Sequence, residues 1–367
     1  MPIKILPYAP ELAEAIAQFN SRLAAGGLPE ELRLPTDGMI QGDGRRTREE
    51  FFLAMENGFV RGGYFLVYQP FAFSGDVQEV AHYRLPLSEG VVNKTYGAVA
   101  AQMLRRALRD QPLLFGLGMG GLDRPLPRML QTAGWSLYPI PFYFYVAHPV
   151  RFLHNIRAVR KNAGRKLLLD LAAISGAGWL GLRAMTAMRR ARQPQGITFE
   201  IEPQFCDWCD RLWNYCKPGY QMVGVRDAAY LNRWYPTQSQ RYIRLRILRN
   251  GQTAGWALVL DTAMQKDPIF GNLRVGSIVD CLATPDQAAA VIEEVRRFLC
   301  ERGVDLIVSN QSHAAWTGAL RDAGFLRGPS NFIFAASKHL TQRMGPFDEN
   351  QSQIHINRGD GDGPIHL

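Results

Sequence analysis

Cysteine is scarce in this 367-residue chain: five residues, without regular spacing. That excludes a disulfide-stapled scaffold and fits a reducing compartment. Cys206 and Cys209 have Cys-x-x-Cys spacing, but no second pair follows, and Cys216 shares their helix. A core-facing helix is expected there, and no metal. Long hydrophobic runs are absent too. Residues 167–182 are nearly uncharged but only sixteen long, with Asp170 and three glycines inside, whereas a membrane-spanning helix needs about 20 residues. MPIKILPYAP lacks the basic-then-apolar pattern of a secretory signal, so a first strand in a cytoplasmic protein is expected. GMGG at 118–121 lacks Rossmann spacing. The tail NRGDGDGPIHL holds no full EF-hand loop and is expected to be extended or disordered.

Acidic side chains are nearly missing from one segment. Residues 151–196 carry ten basic residues and one acid, Asp170, whereas 1–150 hold 14 of each sign and 197–367 hold 18 of each. The net charge of +9 therefore sits entirely between two balanced bodies, neither of which looks like a nucleic-acid-binding surface. HNIRAVRKNAGRK and RAMTAMRRAR flank the apolar stretch that contains Trp179. Three readings stay open: a helical connector packed on a neighbouring domain, an interfacial element making peripheral contact with the inner membrane face, or a nucleic-acid contact.

What is present is a repeat. ENGFVRGGYFLV at 56–67 is echoed by RNGQTAGWALV at 249–259, and LPRMLQTAGWSLYPIPFYFYVAHP at 126–149 by TGALRDAGFLRGPSNFIFAASKH at 317–339. A period of this length means two copies of a whole domain. Asn57-Gly58 and Asn250-Gly251 are strong hairpin signals. In each copy a strand and a helix precede the hairpin; a third strand, helix, strand, helix and strand follow it. The helix at 94–108 should bury Val99, Met103, Leu104 and Leu108, and that after Thr284 should bury Val291, Ile292, Val295 and Phe298. Thr284-Pro285-Asp286-Gln287 reads as a capping box.

This order of elements resembles the GCN5-related N-acetyltransferase (GNAT) superfamily of acyl-CoA N-acyltransferases. The marks are the Asn-Gly hairpin with Gly62 or Gly255 shortly after, and the closing Ala-Gly-Trp or Ala-Gly-Phe. The tandem form resembles mycothiol-synthase-type and FemABX-type proteins. RDAAYLNRWY at 226–235 looks similar to a segment of bacterial tandem acyltransferases linked to cell-envelope polysaccharides. The implied fold class is α/β (α+β): a GNAT-like domain over 1–150, the basic helical connector 151–196, a second domain over 197–340 and a polar tail over 341–367. Each domain is then a mixed, mostly antiparallel sheet flanked by helices. The implied activity is transfer of an acyl group from acetyl-CoA or another acyl-CoA to a small-molecule amine, an amino sugar or envelope precursor. FemABX-like aminoacyl transfer from tRNA and a non-catalytic binding protein are the alternatives.

The resemblance also implies where a ligand lies. GNAT proteins seat pantetheine where the third hairpin strand splays from the next parallel strand, and pyrophosphate on the start of the intervening helix. Leu85 and Leu87 fall on that strand. Lys94, Thr95, Tyr96, Gly97, Ala98 and Val99 match the family's Gln/Arg-x-x-Gly-x-Gly/Ala pattern, with a cation at Lys94 and glycine at Gly97, and depart from it at Val99. In copy two Pro285 removes a donor and Asp286 adds a negative charge. Glu79, His82 and Tyr83 are the candidate acid–base residues of copy one, with Glu79 and Tyr83 on one strand face and His82 on the other. Asp280 in copy two is a catalytic or substrate-binding candidate, with Asn310 and His313 beside it. The family's general-acid Tyr falls at Leu130 and Leu320, so that route is missing in both copies.

Overall fold

A computed structural model describes residues 3–38, 48–156, 196–345 and 347–361. Nearly all of the basic connector, Trp179 included, lies outside the described residues. Among the described residues no helix is long and apolar enough to cross a membrane. The elements of the first half are β1 (Lys4–Pro7), α1 (Ala13–Ala25), β2 (Arg48–Glu56), β3 (Phe59–Phe73), β4 (Asp76–Ser88), α2 (Val99–Asp110), β5 (Leu114–Met119), α3 (Pro125–Thr132), β6 (Ser136–Pro139), β7 (Phe142–Val146) and α4 (Pro149–Asn155). Then come β8 (Ile197–Glu202), α5 (Asp207–Cys216), β9 (Met222–Gly224), α6 (Ala228–Trp234), β10 (Ile243–Arg249), β11 (Gln252–Ala263), β12 (Arg274–Ala283), α7 (Ala288–Glu301), β13 (Leu306–Asn310), α8 (Ala314–Asp322), β14 (Leu326–Gly328), β15 (Phe332–Ala336), α9 (Lys338–Met344) and β16 (Ile354–His355).

Two mixed, mostly antiparallel sheets result, each flanked by helices. One runs β1-β2-β3-β4-β5-β15-β6 and the other β14-β7-β13-β12-β11-β10-β8. The closing strand of each repeat thus joins the other repeat's sheet. The sequence reading had β7 close the first copy and β15 the second; instead β7 pairs with β13, Phe142 opposite Asn310, and β15 lies between β5 and β6. Pro139 and Pro141 explain the first crossing. Proline donates no ladder hydrogen bond and holds its predecessor extended, so β6 cannot fold back through a tight hairpin. Compact units accordingly comprise residues 1–71, 77–138 and 333–347, and residues 72–76, 139–332 and 348–367.

The repeated residues are repeated because they shape backbone. Asn57 and Gly58 have φ of 51° and 82°, Asn250 and Gly251 φ of 51° and 79°, the left-handed pair a two-residue hairpin turn demands. A bulge falls at the same place in both hairpins, between Ala54 and Met55 and between Ile247 and Leu248. A Cβ on Gly62 would sit 2.7 Å from the Leu87 carbonyl oxygen and 3.0 Å from the Met103 sulfur; on Gly255 it would meet Val291 at 2.5 Å and the Leu282 carbonyl oxygen at 2.8 Å. Each glycine lets the following helix press onto its sheet.

In the first unit β2 and β3 divide their side chains by alternation. Phe52, Ala54, Tyr64 and Leu66 pack with Val99, Met103 and Leu104 of α2. Phe51, Leu53, Phe65 and Val67 pack with Ile16, Phe19 and Leu23 of α1. Leu108 is only partly buried. The second unit buries Val291, Ile292, Val295 and Phe298 as expected. Its capping box does not form: Thr284 makes no side-chain cap, Gln287 instead bonds Asp286 and Arg249, and the α-helix proper begins at Ala288.

Candidate functional site

In the first unit β4 and β5 are paired in parallel at Ala81–Leu114 and His82–Phe115. β4 then runs on to Ser88 with Leu85 at φ 46°. Arg84, Leu85 and Pro86 are half-exposed, while Leu87 is buried. A turn follows, organised by Glu89. Its backbone carbonyl accepts from Val92 and Asn93, and its buried carboxylate receives Arg22 and Arg61, each at 3.0 Å. The Arg61 guanidinium stacks 4.1 Å over the Tyr96 ring. Asn93 accepts from the Thr95 amide, and Lys94–Tyr96 form one 3-10 turn. Lys94 is exposed and faces no carboxylate within ion-pair range among the described residues. α2 begins at Val99 after Ala98, without a side-chain cap, so its first-turn amides lack a protein acceptor from that source. Gly97 has an ordinary helical φ of −56°, and a Cβ there would meet only the Lys94 carbonyl oxygen, at 3.2 Å. Chain packing places little demand for glycine at this position.

The structure separates the three acid–base candidates of the first unit. Glu79 precedes the paired registers, is exposed, and forms an ion pair with Arg48 at 3.2 Å. His82 occupies the last paired register, buried and stacked 4.8 Å from Phe115. Tyr83 is the first residue beyond it, packed beside Tyr64 at 5.2 Å between ring centroids. Its buried hydroxyl has no hydrogen-bond partner, and burial pushes its pKa well up. Leu130 and Leu320 are core residues, so the missing hydroxyl is not supplied at those positions.

In the second unit β12 and β13 pair from Val275–Leu306 to Ile278–Ser309 and then part. β12 stays buried to Ala283, because the C-terminal segment fills the gap. Of the tail expected to be extended or disordered, residues 357–361 fold into this gap, and the rest lies outside the described residues. β16 adds in parallel to β9. Ser312 N–H donates to the Ile356 carbonyl at 3.1 Å, Ile356 N–H to the Ser312 hydroxyl at 2.7 Å, and His355 Nε2 meets the Cys281 carbonyl at 2.8 Å. Asn357 bridges to Gln311 and donates from Nδ2 to Asp280 at 2.9 Å.

At the centre lies buried Arg226. Its Nε donates to Asp280 Oδ1 at 2.8 Å, and its Nη2 to both carboxylate oxygens of Asp360 at 2.9 Å. Burial disfavours its charge, but the two carboxylates outweigh that and raise its pKa well above the ordinary value. Tyr235 donates to Asp280 at 3.0 Å, and Trp234 Nε1 to the Gly359 carbonyl at 2.8 Å. Burial, only partly offset by Arg226, raises Asp360 to about 6. Asn310 accepts from Arg358 Nε at 2.9 Å. His313, not Asn310, caps α8, taking the Ala315 amide on Nδ1 at 3.2 Å, and burial lowers its pKa to about 4. The proposed trio is therefore spent: Asp280 and Asn310 bind the tail, and His313 binds its own helix. At the start of α7, Asp286 is held anionic by hydrogen bonds from Thr284 and Gln287.

Sequence reasoning missed Glu89, Arg61, Arg226, Asn357 and Asp360. RDAAYLNRWY was singled out, and that segment supplies Arg226, Trp234 and Tyr235 to the clamp.

No family model matches this chain, and no curated protein matches it. Solved structures do. A probable N-acyltransferase from Enterococcus faecalis, itself described as of unknown function, superposes with TM-score 0.53 at 8% identity over 95% of this chain and 75% of that one. A GCN5-related N-acetyltransferase from Anabaena variabilis gives 0.53 at 9% identity, over 91% and 72%. Saccharomyces cerevisiae N-myristoyltransferase with bound myristoyl-CoA gives 0.50 at 9% identity, over 92% and 78%. The chain carries the GNAT fold in tandem. At these identities the likeness concerns fold alone.

Proposed function

We propose that the first unit binds acyl-CoA and transfers its acyl group to the amine of a small acceptor, an amino sugar or envelope precursor. The observation that carries this is the parting of β4 from β5 after His82, with half-exposed residues along β4 leading to the uncapped start of α2. The residues present suit the ligand. First-turn amides of α2 and the Lys94 ammonium suit a pyrophosphate. Gly97, which packing does not require, leaves room for close approach. Half-exposed Leu85 offers apolar contact along the arm of the ligand, whereas Leu87 packs into the core beside α1, and the Arg61–Tyr96 stack holds the turn in shape.

Aminolysis of a thioester needs a proton taken from the amine and one given to the departing thiolate. Tyr83 and His82 flank the apex of the V on opposite strand faces. Tyr83, kept protonated by burial and without a partner, suits the donor role better than Glu79, which lies beyond the closed end and is paired with Arg48. Tyr83→Phe should lower turnover by about 10–10²-fold, at the lower end of what loss of acid–base catalysis costs, with little change in acyl-CoA affinity. The test is amine-dependent release of free CoA thiol across a panel of acyl-CoAs and amines that includes amino sugars. A protein that binds CoA yet releases no thiol with any amine would support the non-catalytic alternative.

A further inference from the structure

We propose that the cleft of the second unit is a peptide-binding groove, occupied by the chain's own residues 354–361 where a GNAT domain would seat a thioester ligand. Three observations carry it. The segment bonds both arms of the V, through Cys281 and Asp280 on β12 and through Gln311 and Ser312 after β13. Its main chain pairs with β9, Ile354 opposite Met222 and His355 opposite Val223, while the His355 and Asn357 side chains reach β12, so backbone bonds supply affinity and side-chain pockets supply selectivity.

The groove also reads particular side chains. Asn357 and Asp360 cap one another across a short turn, presenting an Asn-x-Gly-Asp unit to Arg226 and Asp280. Gly359 is required where it sits: a Cβ would lie 2.5 Å from the Tyr235 hydroxyl and 2.7 Å from Asp280 Cγ. Ile354, His355, Ile356 and Asn357 are fully buried. Finally, the place a pyrophosphate would take is unsuitable, since Pro285 contributes no amide and Asp286 stays anionic. The segment and a pantetheine arm would compete for one gap, and the segment meets Arg226, Asp280 and Ser312 there through Asp360, Asn357 and Ile356.

The test uses the full-length chain. Hydrogen exchange should show the amides of Ile356, Asn357, Gly359 and Asp360 protected on the order of 10³-fold, as for a core strand. Gly359→Trp should reduce that protection to near that of a free peptide. A synthetic peptide of residues 351–367 should then bind saturably to the variant and not to wild type. Wild-type amides exchanging within about tenfold of a free peptide would overturn the proposal. So would two CoA equivalents bound per wild-type chain. So would failure of the peptide to bind a variant whose β10–β12 amides remain protected. Protected amides with no CoA bound at all would uphold the groove and count only against the reading of the first cleft, so the two fail separately.

Discussion

In the first unit β4 leaves β5 after His82, and beyond buried Tyr83 the residues Arg84, Leu85 and Pro86 are half-exposed; in the second, β12 leaves β13 after Ile278, and every residue to Ala283 is buried. The frames that produce these two ends match down to hairpin turn, bulge and the glycine beneath the helix. The difference lies in few side chains. Lys94 and Gly97 stand at the first helix start, Pro285 and Asp286 at the second. Arg226, Asn357 and Asp360 have no counterparts in the first unit. Packing residues are alike in the two copies, while the residues at the parted strand ends differ, one cleft lined by half-exposed residues and the other closed by the chain itself.

The largest expected break in this symmetry is Arg226→Met. It leaves Asp280 and Asp360 buried without their cation, and loss of one partner of such a cluster costs about 3–5 kcal/mol. Arg61→Met in the first unit should cost less, about 1.5–3 kcal/mol, because Arg22 still holds the buried Glu89 carboxylate. Urea melts followed by tryptophan fluorescence would compare them, since buried Trp135 reports on the first unit and Trp208, Trp213, Trp234, Trp256 and Trp316 on the second. Equal losses would mean that the buried cluster does not set that unit's stability.

Acidification comes next. Burial holds His313 at about 4 and His355 well below its ordinary value. Both are neutral in the folded chain but protonate near 6.5 when unfolded, so the stability they contribute is full above pH 6.5 and is lost as pH falls toward 4. Asp360, raised to about 6, works in the opposite direction, its contribution falling as pH rises from 4 to 6. Two imidazoles outweigh one carboxylate, so the second unit should weaken in acid. His313→Asn keeps an acceptor for the Ala315 amide and should remove about 2–3 kcal/mol of that loss. An unchanged acid slope would show that His313 titrates normally.

Smaller effects belong to the first cleft. Lys94→Gln should weaken acyl-CoA binding about fivefold at low salt, the scale of one exposed charge at a helix start, and less as salt rises. Glu79→Gln should leave turnover within about twofold, since an exposed pair such as Arg48–Glu79 contributes little. A large loss of turnover in that variant would make Glu79 an acid–base residue of the reaction despite its ion pair with Arg48.

Much of the frame was legible because it rests on local backbone demands. Asn-Gly pairs, Gly62 and Gly255, and the helix-ending Gly134 and Gly324 announce themselves in sequence. The exchange of β7 and β15 was hidden, because FYFYV and FIFAA suit either sheet and only pairing across distant sequence decides between them. The tail misled through composition. Asn-Arg-Gly-Asp reads as solvated chain, and its burial depends on partners 48 to 134 residues away, Arg226 foremost. Asp280 was found by its place on the third strand, but its occupation by Arg226 and Asn357 could not be read from spacing. Glu89 and Arg61 went unnoticed because they shape the turn without matching its pattern.

The most direct measurement of the central claim is a calorimetric titration of the full-length chain with acetyl-CoA. One equivalent per chain is predicted, weakened at least about 10²-fold by Gly97→Glu, which places a carboxylate where an anion would sit. Two equivalents per chain, or one that is indifferent to Gly97→Glu, would contradict the assignment of acyl-CoA to the first cleft alone.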